Sequence, residues 1–239
     1  MSATTGIQWT DATFNPWAGC TKVSPGCDNC YAEKSPGTVL RGIRWGAGAP
    51  RMLSKDWTLP QVLQRRAERT GTRPRLFCAS LADVFDNEVP DEWHARLFEL
   101  IERTPLVTWQ LLTKRIGNVR RAMPANVWLG ATCVTQDEIE RDLPKLRRSA
   151  AAVRFVSIEP QIERIDLRGR LDGIHWVING GESGGKHRPF DLAWARQLRD
   201  QCEQAGVPFF FKQIGARTPG DEDIPEDLRI RQFPPGAEA

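Results

Sequence analysis

Three cysteines within eleven residues, Cys20, Cys27 and Cys30, are the side chains of this chain best suited to chemistry. Cys27 and Cys30 are spaced C-x-x-C. Ser24-Pro25-Gly26 precedes them, so the chain can turn there and bring Cys20 back beside the pair. Thiolates bind zinc, copper(I) and iron–sulfur clusters. The stretch from Thr13 to Ala32 therefore reads as a metal or cluster loop with three protein ligands, against the alternative of buried or incidental thiols. A closed structural site would use four ligands, whereas three leave a position for a cofactor or substrate.

A second polar set recurs at the ends of apolar runs. Ser80 and Asp83 follow the run 76–80, Thr113, Lys114 and Arg115 follow 107–112, and Thr132 ends 127–132. Glu159 and Pro160 follow 153–158, Gly180, Gly181 and Glu182 follow 175–179, and Lys212 and Gln213 end 208–213. These runs have strand length and β-branched or aromatic composition. Between them lie helical patterns at 59–68, 91–103, 116–122, 136–148 and 192–205. Asp91 and Asp191 are expected as N-caps, and Gly206 lies just past the last helix. Strands alternating with helices predict parallel βα units. With a further strand expected before the cysteines and no dinucleotide glycine fingerprint, the fold class is α/β, a full or partial (β/α) barrel of parallel strands. Residues 35–51, rich in glycine, read as a flexible loop. Residues 1–215 form one expected domain, and 216–239, rich in Pro, Gly and acids, an expected loose or disordered tail.

In such a barrel the active site lies at the C-terminal ends of the strands. Lys114, Glu159, Glu182 and Lys212 are thus expected to converge on one mouth with the cysteine loop, with ion pairs capping the barrel as the competing reading. Gly180 and Gly181 permit close backbone approach by a ligand. His187 and Arg188 read either as a loop reaching an anionic ligand or as plain surface. His175 reads as structural, and His94, on a helix face expected to be exposed, is given no role. Cys78 and Cys202 read as core thiols. Cys133 is expected near the mouth but outside the ligand set.

The 239 residues suffice for one large domain with a full core. No apolar run reaches membrane-span length, and the first residues lack a basic and apolar leader, so a cytoplasmic location is expected. There, clustered cysteines favour metal or catalysis over disulfides. The net charge of +3 alone excludes little. Its distribution is more telling: between Lys34 and Arg75 basic residues far outnumber Asp56 and Glu68, with Trp45 and Trp57 interleaved. Such a segment could bind phosphates and stack on bases, or be a solvated face with core tryptophans.

Asn15-Pro16-x-x-Gly19-Cys20 followed by Gly26-Cys27-x-x-Cys30-Tyr31-Ala32 resembles the cluster loop of radical S-adenosylmethionine (radical SAM) proteins, most closely the spore photoproduct lyase-like branch. The whole chain resembles the phage Gp37/Gp68 family (DUF5131). That likeness rests on Trp9 to Pro16, the cysteine loop, Leu112 to Arg115, Val156 to Pro160, Gly180 to Gly184 with Arg188-Pro189, and Phe210 to Gln213. The radical SAM resemblance implies a 4Fe-4S cluster on Cys20, Cys27 and Cys30. It also implies reductive cleavage of S-adenosylmethionine, hydrogen abstraction from an unknown substrate, and an electron donor protein as partner. The usual gap between the first two cysteines is three residues, and here it is six. The superfamily's Gly-Gly-Glu motif follows an early strand, while Gly180-Gly181-Glu182 follows a late one. Ser80 to Asp83 is therefore the better candidate for the methionine end. Asn29, Tyr31, Ser80, Asp83, Thr113, Lys114, Glu159, Gly180, Gly181 and Glu182 are the cofactor-side candidates. Lys114, Glu159 and Lys212 are the catalytic candidates. The lyase likeness, the phage association and the basic segment point to a nucleic acid or nucleotide as substrate. The competing reading is a non-catalytic zinc or iron–sulfur protein of phage origin that binds nucleic acid or acts as an adaptor.

Overall fold

The computed structural model describes residues 5–184, 187–215 and 223–236. Seven parallel strands form one curled sheet, a half-barrel: β1 (Ala12–Thr13), β4 (Arg75–Cys78), β5 (Thr108–Thr113), β6 (Val127–Thr132), β7 (Val153–Ile158), β8 (Trp176–Asn179) and β9 (Phe209–Phe211), bonded in that order. Two short strands, β2 (Trp17–Ala18) and β3 (Met52–Leu53), make a separate antiparallel pair beyond β1. Every sheet neighbour is a chain neighbour once that pair is set aside, the winding expected of successive βα units.

Helices α3 (Leu59–Thr70), α4 (Asp91–Glu102), α5 (Gln136–Arg148) and α6 (Leu192–Ala205) cover the outer face. Asp191 caps α6 by accepting from the Ala193 amide, and Gly206 closes it in the left-handed region. Three local expectations are corrected. Pro90, not Asp91, precedes the first turn of α4, so Asp91 complements the helix dipole from inside the helix. The expected helix 116–122 is a single 3-10 turn, Ile116–Asn118. The expected loop 35–51 holds for 41–51, which carry no regular element, but not at its start: after α1 (Tyr31–Lys34), Ser35 accepts from the Thr38 amide and starts α2 (Pro36–Leu40). Among the described residues, no helix is long and apolar enough to cross a membrane.

The sheet is buried on both faces, so its strands read as nearly continuous apolar runs. Alternation still decides what each side chain meets. Leu76, Leu111, Leu129, Val156 and Val177 pack outward in the main core beneath the helices. The intervening residues point into the half-barrel, where Trp9, Phe77, Trp128, Phe155, Trp176 and Phe210 form an aromatic floor. Trp176 is its hub, with rings of Trp9, Trp128, Phe155, Phe210 and Phe233 within 6.3 Å.

Residues 223–236 pack against the sheet, which corrects the expected loose tail for that stretch; 216–222 and 237–239 lie outside the described residues. Ile224 and Leu228 are buried. The Phe211 amide donates to the Ile230 carbonyl, and the Gln232 amide to the Phe209 carbonyl, so the tail covers the free edge of β9. Phe233 then stacks under the Arg75 guanidinium at the β1 side, 4.2 Å from the ring centre.

Gly130 faces the floor, and a Cβ there would overlap the Phe155 ring. Gly130→Ala is expected to destabilise the fold by about 1–3 kcal/mol through overpacking, read as a lower urea midpoint at unchanged m-value.

Candidate functional site

Above the aromatic floor the half-barrel opens into a cavity of about 640 Å³. Every residue proposed above for cluster, cofactor or catalysis lines it except Gly180. The inward period of the strands accounts for this. Continuing each strand by two residues from the floor leads from Phe77 to Ala79, from Gln110 to Leu112 and Lys114, from Trp128 to Gly130 and Thr132, and from Phe155 to Ser157 and Glu159. Phe210 leads in the same way to Lys212.

The cysteine loop is a strap across the mouth. Its course is recorded by bonds to one strand end after another. The Gly19 amide donates to the Leu81 carbonyl beyond β4. Arg115, beyond β5, donates to the Thr21 carbonyl at 2.6 Å and to the Cys20 Sγ at 3.5 Å. Gly26 packs on Val134 beyond β6, where a Cβ would be crowded at 2.8 Å. Beyond β8, Arg188 donates to the Pro25 carbonyl, and Asn29 donates to Glu182 at 2.9 Å. The strap then returns, and the Tyr31 hydroxyl donates to the Ser80 carbonyl.

Two ionic clamps hold it. On the β4–β5 side, Arg51 and Asp86, both almost fully buried, pair at 2.8 Å. Arg51 also donates to Glu88 and Thr21 and to the Gly46 and Ala49 carbonyls. Asp83 accepts from the Thr113 hydroxyl (2.7 Å), the Phe85 and Lys114 amides and the Arg115 guanidinium (3.1 Å). Asp83 and Thr113 line the cavity, but their polar atoms are engaged in positioning Arg115. Burial works against the Arg115 charge, yet Asp83, Cys20 and Asp86 outweigh it and raise its pKa. Burial, with Asp83 adding, raises the Cys20 pKa against the opposing effect of Arg115. On the β8 side, Glu182 accepts a two-pronged contact from Arg188 (2.6 and 3.2 Å) as well as Asn29. Burial pushes the Glu182 carboxyl up, but the bonds from Arg188 and Asn29 prevail and hold it below its ordinary value.

Several readings are corrected by this geometry. Arg188 is spent on Glu182 rather than reaching outward for an anion. The close approach that Gly181 permits is by the chain itself, since a Cβ there would overlap the Ile214 carbonyl. Trp57 is a core residue, edge-on to Phe14 and under the Arg96 guanidinium, and is not available for stacking. His94 is half-buried, bonding the Val84 carbonyl and edge-on to Trp17. His175 accepts from the Arg154 amide, a structural role. Cys78, Cys133 and Cys202 are buried, and burial raises each thiol's pKa, that of Cys202 to about 12. Cys133 does not line the cavity.

The chain matches the family described as Protein of unknown function (DUF5131) over residues 4–229. It belongs to that family. No curated protein and no solved structure matches it.

Lys114 and Lys212 bring positive charge to the cavity wall of this DUF5131 protein. Lys212 pairs with Glu159 at 2.9 Å, and both are largely buried. The Lys114 ammonium has no hydrogen-bond or ion-pair partner among the described residues. Cys20, Cys27 and Cys30 are half-buried free thiols on the cavity side of the strap. Among the described residues, no three Cys, His, Asp or Glu side chains are already gathered tightly enough for a metal ion. As a donor set, three soft thiols fit an iron–sulfur cluster with one open iron. Sequence reasoning did not anticipate Ser157 on the wall, or Arg51 and Arg115 as clamps. Counting two residues back from Glu159 would have found Ser157. Nothing local marks the clamps, whose partners lie 30 or more residues away.

Arg51→Met is expected to cost about 3–5 kcal/mol, because the buried Asp86 would lose its close partner and keep only the Arg115 guanidinium, 3.9 Å away; chemical denaturation measures this. Glu182 has a depressed pKa in the fold, so its contribution is complete above its ordinary value of 4.5 and lost as pH falls through the folded value. The stability gap between the parent and Glu182→Gln should therefore be flat between about pH 6 and 8 and close below about pH 4.5, measured by denaturation across pH.

Proposed function

We propose that this protein is an iron–sulfur enzyme of the radical SAM kind, with a 4Fe-4S cluster held by Cys20, Cys27 and Cys30 and S-adenosylmethionine bound in the cavity beneath the strap. One observation carries the reading: three free thiols and the polar strand ends line the same cavity, at the C-terminal mouth of a parallel half-barrel. When bound, and with an electron from a donor protein, these groups would supply one-electron chemistry that abstracts hydrogen from a substrate.

The chain's own residues supply binding, orientation and exclusion of water. Lys114 offers a free cation to a carboxylate or phosphate. The Glu159–Lys212 pair can accept from and donate to one ligand at once, and its burial makes that contact directional. Thr132 and Ser157 add hydroxyls between them. The aromatic floor closes the cavity from below, and the strap covers it above. The clamps hold both halves of the strap, so the cysteines keep their places while a substrate enters.

The test is anaerobic reconstitution with iron and sulfide, reduction, and addition of S-adenosylmethionine. The expected outcome is a brown protein that forms 5′-deoxyadenosine, with both colour and product lost in Cys27→Ala. A colourless protein that retains zinc, or a cluster that leaves S-adenosylmethionine intact, would overturn the reading in favour of a non-catalytic nucleic-acid-binding or adaptor protein.

A further inference from the structure

The three thiols of the strap are not equivalent. Among the described residues, the sulfurs of Cys27 and Cys30 accept from no donor, while the Cys20 Sγ accepts from the Arg115 guanidinium at 3.5 Å. A second nitrogen of that guanidinium donates to the Thr21 carbonyl at 2.6 Å, so Arg115 grips the backbone beside Cys20 as well as its sulfur. Arg115 is itself held from behind. Asp83 faces it at 3.1 Å and Asp86 at 3.9 Å, and all three side chains are nearly buried. Asp83 also accepts from the Thr113 hydroxyl and from the Phe85 and Lys114 amides, so its charge is shared among several donors and does not cancel that of Arg115 alone. Carboxylate, guanidinium and thiol thus form a line from the end of β4, through the end of β5, to the strap, and both Arg115 and Cys20 line the cavity.

We propose that Arg115 is a positioning residue for Cys20 that favours the reduced form of the cluster, and that Asp83 opposes it; the inference rests on the cluster proposed above. Reduction adds one electron from an external one-electron donor, with no bond broken and no proton moved at the protein. The added negative charge spreads onto the ligand sulfurs. A donor bonded to such a sulfur, and positive charge beside it, stabilise the more negative state and raise the reduction potential. Arg115 does both at Cys20, in a nearly buried setting where charge is weakly screened. Without Arg115, Asp83 would face the strap with no cation of its own. A purely mechanical clamp predicts something different. Breaking the Asp83–Arg115 pair from either side would then loosen the strap alike and move the potential in one direction. Tuning by charge requires the two partners to act with opposite signs.

The experiment reconstitutes the full chain anaerobically with iron and sulfide and titrates it with dithionite and mediators, without S-adenosylmethionine. Electron paramagnetic resonance reads the reduced cluster, and iron content and urea midpoint are recorded for every variant. Arg115→Gln should leave about tenfold less reduced cluster at a fixed potential, a midpoint about 59 mV lower. Asp83→Asn should move the midpoint the other way. Arg115→Lys keeps the charge but cannot donate to Thr21 and Cys20 from two nitrogens at once, and should fall between the parent and Arg115→Gln. The proposal is overturned if Arg115→Gln and Asp83→Asn shift the midpoint in the same direction, or if neither moves the equilibrium by more than about twofold. A lower or unchanged midpoint in the isosteric Asp83→Asn overturns it whatever becomes of the Arg115 variants. A parent that forms no cluster overturns the proposed function and this inference together. A parent whose cluster forms but leaves S-adenosylmethionine intact overturns the proposed function alone, because the potential is read without it.

Discussion

The buried contact between Arg51 and Asp86 is the interaction on which the mouth of this protein depends. A half-barrel leaves its strand ends open, and a loop crossing them has few apolar residues with which to hold itself down. The strap from Gly19 to Tyr31 is fixed instead by charge. Arg51 gathers Thr21, the 46–49 turn, Asp86 and Glu88 around one guanidinium. Arg115 continues the network to Asp83 and Cys20. Desolvation makes such a network costly unless every charge is answered, and here each guanidinium reaches carboxylates and carbonyls together. The cost is set against position: the strap can run over β6 and dock at Glu182 on the far side because its near end does not move.

Much of the fold was legible because both faces of the sheet are buried. Runs such as 127–132 and 153–158 could be read to the residue as strands, and their polar successors could be assigned to one mouth from barrel geometry alone. What those successors do there was less legible, because it depends on contacts distant in sequence. Asp83 and Glu182 read as groups free to meet a ligand, and each is saturated by protein donors. The Gly181 backbone meets Ile214. Local chemistry was also misread where a cap outweighs composition. The 35–51 stretch is rich in glycine, yet the Ser35 side chain and Pro36 suffice to start α2. In the tail, composition pointed to disorder, while Ile224 and Leu228 enter the main core, the backbone at 230–232 covers the edge of β9, and Phe233 packs on Trp176.

The interior is divided by height. At the floor, seven aromatic or aliphatic side chains interlock around Trp176, and the buried Gln110 among them is tied down by donating to the Trp9 carbonyl. One pleat higher the wall carries Thr132, Ser157, Glu159, Lys114 and Lys212. Gly130 makes the division possible, because on the strand between Trp128 and Thr132 any side chain would displace Phe155. The same economy of space explains why charged residues enter only near the strand ends, where water or a ligand can reach them.

Of the charged groups at the mouth, then, nearly all are answered by one another, and this is what distinguishes Lys114. Arg115 beside it turns back to the strap, Lys212 turns to Glu159, and Arg188 turns to Glu182. A half-buried cation with no carboxylate across from it gains from a ligand that brings its own negative charge. Charge left unsatisfied on the cavity wall is charge available to an anionic group of a ligand.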